Sequence, residues 1–270
     1  MEIQTIDQAL EYSGIKLAVY SPAGFGKTVL SCTCGAPTII ISNESGLLSV
    51  RNLPAEKKKN IGIIKVTSSE EVGTAYNMLA AQRLADWIVI DSSSEVCETL
   101  LASKKKGLAD PRKAYGEMAD EFLEMLRMFR DLPGYNVMMT FKQGRLKDEV
   151  TGITSYGPLL PGKQADVQVP YLFDELFALR VEPDGEGNMV RVLQTGQDVS
   201  YNCKDRSGSL EMYEIANIAH IAQKIGHAVP SVVTEIDPVL TAPIQTPEPE
   251  VSQDEKPNVE QGAKENGTTA

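Results

Sequence analysis

The sequence predicts an α/β fold: a mostly parallel central sheet flanked by helices, with an antiparallel hairpin toward its C-terminal side. Three observations carry that expectation. Short β-branched runs recur through the first half of the chain. Stretches with helical apolar spacing separate them. Beyond residue 175 the pattern changes, and two apolar runs face each other across a glycine-rich turn. Strands alternating with helices form parallel sheets covered on both faces, whereas a short turn reverses the chain.

The elements follow in order. Ile15-Lys16-Leu17-Ala18-Val19-Tyr20 reads as a buried strand leading into a glycine-rich loop, with a helical stretch from Thr28 to Thr33 after it. Thr38-Ile39-Ile40-Ile41-Ser42 and Ile61-Gly62-Ile63-Ile64-Lys65-Val66 are β-branched strands. Ser69-Glu70-Glu71-Val72 opens a helix whose Val72, Ala75, Tyr76, Leu79 and Ala80 share one face. Trp87-Ile88-Val89-Ile90-Asp91 is a fourth strand. Tyr115, Met118, Phe122, Met125, Leu126 and Phe129 keep helical spacing until Asp131-Leu132-Pro133-Gly134 stops them, and that stripe reads as core packing. Asn136 to Phe141 is a fifth strand, and Gly144 to Ala165 reads as a long loop. Leu176 to Val181 and Met189 to Leu193 form the hairpin, and Glu211 to Gly226 the closing helix.

Composition sets the frame. A chain with 42% hydrophobic residues can bury a core. We expect one domain over residues 1–228 and a disordered acidic, proline-rich tail over 229–270, because that segment cannot bury enough apolar surface to offset its ordering entropy. Eight acidic residues and two lysines between Pro230 and Ala270 carry −6 of the net −11, which leaves −5 for the remainder. The net charge argues against a broad cationic surface for duplex nucleic acid, while a local basic loop stays open. No run approaches the roughly 18 apolar residues of a membrane span, and the N-terminus lacks a signal-like pattern. A cytoplasmic location is expected. Cys32, Cys34, Cys97 and Cys203 lack zinc-ligand spacing and read as ordinary thiols, and His220 and His227 as surface or core residues.

The chemistry lies in Ser21-Pro22-Ala23-Gly24-Phe25-Gly26-Lys27-Thr28. In such a loop, backbone N–H groups curl around a β-phosphate. Gly24 and Gly26 permit the backbone angles and the close approach that a Cβ would obstruct. Lys27 bridges the β- and γ-phosphates, and Thr28 offers its hydroxyl to Mg²⁺. Pro22, Ala23, Gly24, Phe25, Gly26, Lys27, Thr28 and Val29 are the expected ATP contacts. The usual pattern begins with glycine where this chain has Ser21.

Further candidates come from strand ends. Asp91 closes the fourth strand and is expected to act on Mg²⁺ through a coordinated water; its alternative is a helix N-cap, since Ser92-Ser93-Ser94-Glu95 follows. Glu44 follows the second strand, where a carboxylate can serve as general base for the attacking water, or simply be a solvated loop residue. Gln143, after the fifth strand, is placed to sense the γ-phosphate and signal to the loop beyond it. That loop carries Arg145, Lys147, Tyr156 and Lys163, which suit single-stranded nucleic acid through phosphate contact and stacking. A plain solvated loop is the other reading. Lys57-Lys58-Lys59 and Lys104-Lys105-Lys106 read as solvated faces.

With these residues in place, the chain resembles the RecA-type branch of P-loop ATPases, and within it the phage nucleotide-binding proteins grouped as AAA-family ATPases, which include single-strand-annealing recombination proteins. The resemblance spans about Gly14 to Gly226. It rests on Gly24-Phe25-Gly26-Lys27-Thr28, Ile41-Ser42-Asn43-Glu44, Ile88-Val89-Ile90-Asp91-Ser92 and Thr140-Phe141-Lys142-Gln143. Lys204-Asp205-Arg206-Ser207-Gly208 also looks like the lysine-x-arginine element that RecA-type assemblies insert into a neighbour's ATP site. By that resemblance Lys204 and Arg206 stabilise γ-phosphate charge in trans, which requires a homo-oligomer, ring or filament. A surface turn is the bland alternative.

The resemblance implies an ATPase acting on single-stranded DNA in phage recombination. Two other readings stand beside it. One is a nucleotide-gated module that binds a protein of phage replication or assembly. The other is a P-loop kinase, disfavoured because no arginine-rich lid segment is evident.

Overall fold

The computed structural model describes residues 3, 5–6, 13–44, 46–107, 110–147 and 152–226. Among the described residues, ten strands form a single sheet. In chain order they are β1 (Lys16–Ser21), β2 (Thr38–Ser42), β3 (Ile61–Lys65), β4 (Trp87–Asp91), β5 (Asn136–Lys147), β6 (Thr154–Leu159), β7 (Glu175–Pro183), β8 (Met189–Gln194), β9 (Lys204–Asp205) and β10 (Tyr213–Ile215). The spatial order is β10-β8-β7-β1-β5-β4-β2-β3, with β6 paired to β5 and β9 to β7. From β7 through β1, β5, β4 and β2 to β3 every neighbour pair is parallel.

Every residue of β1, β2 and β4 is buried, which is why these strands read as continuous apolar runs rather than alternating ones. Successive side chains point to opposite faces. Ala18 and Tyr20 of β1 join one core, against α3 (Ser69–Ala81), α4 (Ser93–Gly107) and α5 (Pro111–Arg130). Leu17 and Val19 join the other, with Leu30 of α1 (Lys27–Ser31) and Ile218 of α7 (Ile218–Ile225). A four-residue helix, α2 (Ala55–Lys58), precedes β3, and α6 (Lys163–Leu172) precedes β7.

Local chemistry sets the helix boundaries. The Ser68 hydroxyl accepts the Glu71 N–H at the start of α3, and Asp110 accepts from the N–H of Arg112 ahead of Pro111. The expected hairpin is β7–β8, in register from Pro183↔Met189 to Ala178↔Gln194.

Two expectations are corrected. The segment after Phe141 is not a structureless loop. β5 runs on to Lys147 and pairs antiparallel with β6, from Lys142↔Leu159 to Lys147↔Thr154, and helix α6 follows. Cross-strand pairing, which local pattern does not reveal, satisfies the backbone there. The closing segment begins as strand β10 on β8, because Asn217 caps α7 by accepting the His220 N–H and so starts the helix late. His227 and the tail over 229–270 lie outside the described residues.

Candidate functional site

The glycine-rich loop leaves the carboxyl end of β1, flanked in the sheet by β5 and β7. Ser21 is the last residue of β1 and is wholly buried. Its backbone is extended, so a side chain fits where the usual pattern has glycine. Its hydroxyl accepts from the Lys27 ammonium at 3.3 Å and donates to the Pro22 carbonyl at 3.0 Å. Gly24 and Gly26 sit at φ +81° and +99°, where a β-carbon is strained. The loop then enters α1, whose first bond is Leu30 N–H to Gly26 carbonyl at 2.9 Å. That helix is five residues long, shorter than the sequence suggested.

Lys27 folds inward, donating to the Ser21 and Pro22 carbonyls at 3.2 and 3.4 Å. Burial pulls its pKa below the ordinary lysine value, and the carboxylates of Glu44 and Asp91 oppose that shift. The three groups therefore occupy one electrostatic neighbourhood.

Asp91 is 2% exposed, and each carboxylate oxygen is engaged. Thr28 donates to Oδ2 and Thr140 of β5 to Oδ1, both at 2.6 Å. The helix that follows is capped elsewhere: the Ser92 hydroxyl accepts the Glu95 N–H at 3.3 Å, leaving Asp91 turned toward Thr28. The Asp91–Ser92 peptide is cis. Ser92 also donates to Glu44 Oε1 at 2.6 Å, tying the loop after β2 to the end of β4. Register brings these groups level, since Ser42 pairs with Asp91 and Ser21 with Lys142. Gln143 is half-buried one residue beyond Lys142, opposite Pro158. Lys27, Thr28, Glu44 and Asp91 thus gather at the carboxyl ends of β1, β2 and β4, where an open α/β sheet has its ligand crevice. Gln143, expected after the fifth strand, lies within β5 because that strand runs on into the hairpin with β6.

These residues fit the groups they were expected to hold. A threonine hydroxyl and a carboxylate in contact are hard oxygen donors of the kind Mg²⁺ takes. A lysine beside a loop bent by two left-handed glycines suits a polyphosphate.

The remaining candidates lie elsewhere. Lys204 and Arg206 sit with β9, which pairs with the start of β7, and Glu175 there pairs with Leu17 near the start of β1. That is the opposite end of β1 from the phosphate loop. The Lys204 ammonium donates to the Pro170 carbonyl at 2.6 Å and to that of Phe173. Arg206 is exposed and pairs with Asp174 at 3.1 Å. The Arg145 and Lys147 side chains are exposed on the β5–β6 hairpin, whereas the Tyr156 ring packs against Tyr201 at 5.1 Å between centroids. Lys104 pairs with Glu121 at 2.5 Å, and Lys105 lies over the Tyr115 ring. All four cysteines are buried, and burial pushes Cys34 up to about 12. His220 contacts Glu214 at 3.3 Å.

One residue at this end was not legible as a site residue. Arg191 of β8 donates from Nε to the Phe25 carbonyl at 2.7 Å, from 166 positions away. No motif marks it; its only sequence signal is a cation within the apolar run from Met189 to Leu193.

This strand order, with a glycine-rich loop leaving the carboxyl end of a central strand, defines an open, mostly parallel α/β sheet whose crevice lies at that end. The chain belongs to the AAA domain family, whose pattern matches residues 13–207. Among solved structures it is similar to the RadB recombinase, at 17% identity and TM-score 0.40 over 69% of this chain and 83% of that one. It is also similar to a KaiC-like protein from Pyrococcus horikoshii OT3, at 16% identity and TM-score 0.36 over 67% and 85%. Among curated proteins no match is found. Among the described residues, no helix is long and apolar enough to cross a membrane.

Proposed function

We propose that the protein binds ATP with Mg²⁺ in the loop from Pro22 to Val29 and hydrolyses it as a homo-oligomer on single-stranded DNA, in phage recombination by annealing or strand exchange. The observation that carries the nucleotide reading is the meeting of Lys27, Thr28 and Asp91, with Glu44 linked to the same strand end through Ser92. In this reading Lys27 turns from the Ser21 and Pro22 carbonyls to the β- and γ-phosphates. Thr28 and Asp91 would hold the metal, while Thr140 fixes the Asp91 carboxylate. Glu44 accepts the proton of the attacking water, and Gln143 reports the γ-phosphate to the hairpin. Bound Mg²⁺ supplies neutralisation of the phosphate charge.

Support for DNA is separate from support for ATP. The hairpin that begins beside Gln143 exposes Arg145 and Lys147, which suit a phosphate backbone. Tyr156, held against Tyr201, is not the free stacking ring the sequence suggested. Arg206 is the better candidate for a finger in trans, because an exposed ion pair such as Arg206–Asp174 is worth only about 0–1 kcal/mol and releases readily. Lys204, bonded to two carbonyls, anchors the turn. A second reading, a nucleotide-gated module for a protein partner, is favoured by exposed Met189, Met212, Tyr213 and Ile215 on the β8–β10 edge.

Steady-state ATP hydrolysis with and without single-stranded DNA, for wild type and Lys27→Ala, tests the proposal. We expect DNA-stimulated turnover that weakens as salt rises, and a loss of at least about 1,000-fold in kcat/KM for Lys27→Ala. ATP binding without stimulation by DNA would leave the partner-gated module. Absence of ATP binding would overturn the nucleotide reading itself.

A further inference from the structure

We propose that Arg191 is a positioning residue for the nucleotide: from β8 it holds the Phe25–Gly26 peptide so that the Gly26 N–H is presented to phosphate. The inference rests on the ATP reading above and adds to it a residue outside every motif.

The geometry has three parts. First, Arg191 Nε donates to the Phe25 carbonyl at 2.7 Å, the length of a charge-assisted bond. The carbonyl of Phe25 and the N–H of Gly26 belong to one planar trans peptide and point in opposite directions. Drawing the carbonyl toward Arg191 therefore aims the N–H the other way. A phosphate loop works through its N–H groups, and a rotated peptide would offer a carbonyl oxygen, which repels phosphate.

Second, Gly26 is shaped for this contact as well as for its own backbone angle. A β-carbon there would lie 2.8 Å from Arg191 Nε and 3.4 Å from Cζ. Its φ of +99° already favours glycine, and a β-carbon there would also oblige the end of the Arg191 side chain to move off the Phe25 carbonyl.

Third, the contact bridges separate parts of the chain. Arg191 pairs in register with Val181 of β7, and β7 lies directly beside β1. The hairpin thus reaches over the mouth of the loop from the neighbouring strand. Arg191 is exposed, so its loss removes no core packing.

The test is ATP binding, measured by titration with a fluorescent ATP analogue, for wild type, Arg191→Ala, Arg191→Gln and Lys27→Ala. Glutamine carries its amide nitrogen the same number of bonds from the backbone as arginine carries Nε, so it restores the donor without the charge. We expect Arg191→Ala to weaken binding by about 10- to 100-fold, as loss of a charge-assisted bond implies, and Arg191→Gln to stay within about 3-fold of wild type. Melting temperatures without nucleotide should fall by only a few degrees in Arg191→Ala, while the stabilisation that ATP adds should shrink in Arg191→Ala alone of the Arg191 variants.

Wild-type or tighter binding by Arg191→Ala would overturn the proposal. So would Arg191→Gln binding as weakly as Arg191→Ala, which would mean that charge attraction rather than peptide orientation is at work. Loss of binding in Lys27→Ala, alongside full binding in Arg191→Ala, would sink this inference and leave the ATP reading standing. A wild type that binds no ATP would overturn both.

Discussion

The two ends of β1 differ in kind. At its carboxyl end, groups from β1, β2, β4 and β5 meet through short bonds, with Thr28, Thr140 and Ser92 each at 2.6 Å from a carboxylate oxygen. At its amino end, the turn over 204–210 is organised around Asp205, which accepts from the Ser207 hydroxyl at 2.6 Å and the N–H groups of Gly208 and Leu210 at 3.0 and 3.1 Å. Buried Glu175 lies beside it, its pKa raised to about 8 by burial first and the Asp205 carboxylate second. Leu17, level with Glu175, is four residues from Ser21, about 13 Å along a strand at ~3.3 Å per residue. Lys204 is tied to α6, and Arg206 is held by Asp174. The first end is assembled within one chain. The second lies at the other end of β1 from its own phosphate loop, so the proposed finger role would require a neighbouring chain's site.

The largest effect that would sharpen this contrast is at Arg206. Arg206→Ala should lower kcat by about 100- to 1,000-fold while ATP affinity stays at the wild-type value. Equal losses in affinity and kcat would place Arg206 in its own chain's site and erase the distinction.

Asp91→Asn comes next. It keeps the shape but removes the charge that Thr28 and Thr140 address, and a loss of about 10- to 100-fold in apparent Mg²⁺ affinity should appear in a magnesium titration of turnover. An unchanged titration would return Asp91 to a structural role.

The smallest effect concerns the far end alone. Glu175 holds its proton in the folded state up to about pH 8 and releases it near its ordinary value of 4.5 when unfolded. Between those values the folded state binds more protons, so stability falls as pH rises and levels off above the folded value. Thermal melts should show a drop of about 10 °C across that window in wild type and a flatter profile in Glu175→Gln. Asp205 and Asp174 are the acidic neighbours that oppose ionisation. Identical profiles would show that Glu175 ionises freely.

Much of the carboxyl-end site was legible because it is written locally. The loop's glycines, its lysine and threonine, and Asp91 at the tip of an apolar strand sit inside short patterns whose strand and helix periods are unambiguous. Glu44 was placed by its position after β2, and register then brought it to Ser92. Pairing between distant segments was not legible. β6 rests on β5 and β10 on β8, and neither short strand carries a strong pattern of its own. Tyr213-Glu214-Ile215 does alternate, with Glu214 buried and its neighbours exposed, but three residues are too few to separate from a helix start. Arg191 is the extreme case, since its meaning depends entirely on which carbonyl lies across the fold. The contrast between Lys204 and Arg206 also emerges only in three dimensions, where one meets backbone carbonyls and the other a solvent-exposed carboxylate.

In the proposed assembly one chain supplies the phosphate loop and another the finger. Its most direct measurement is ATP turnover in a mixture of Lys27→Ala, which keeps its finger, and Arg206→Ala, which keeps its loop. Each alone should be nearly inactive, and mixing should restore a substantial fraction of wild-type turnover at shared interfaces. Turnover that stays at the level of the separate variants, in a mixture shown to co-assemble, would mean that Arg206 does not act on a neighbour's phosphate loop.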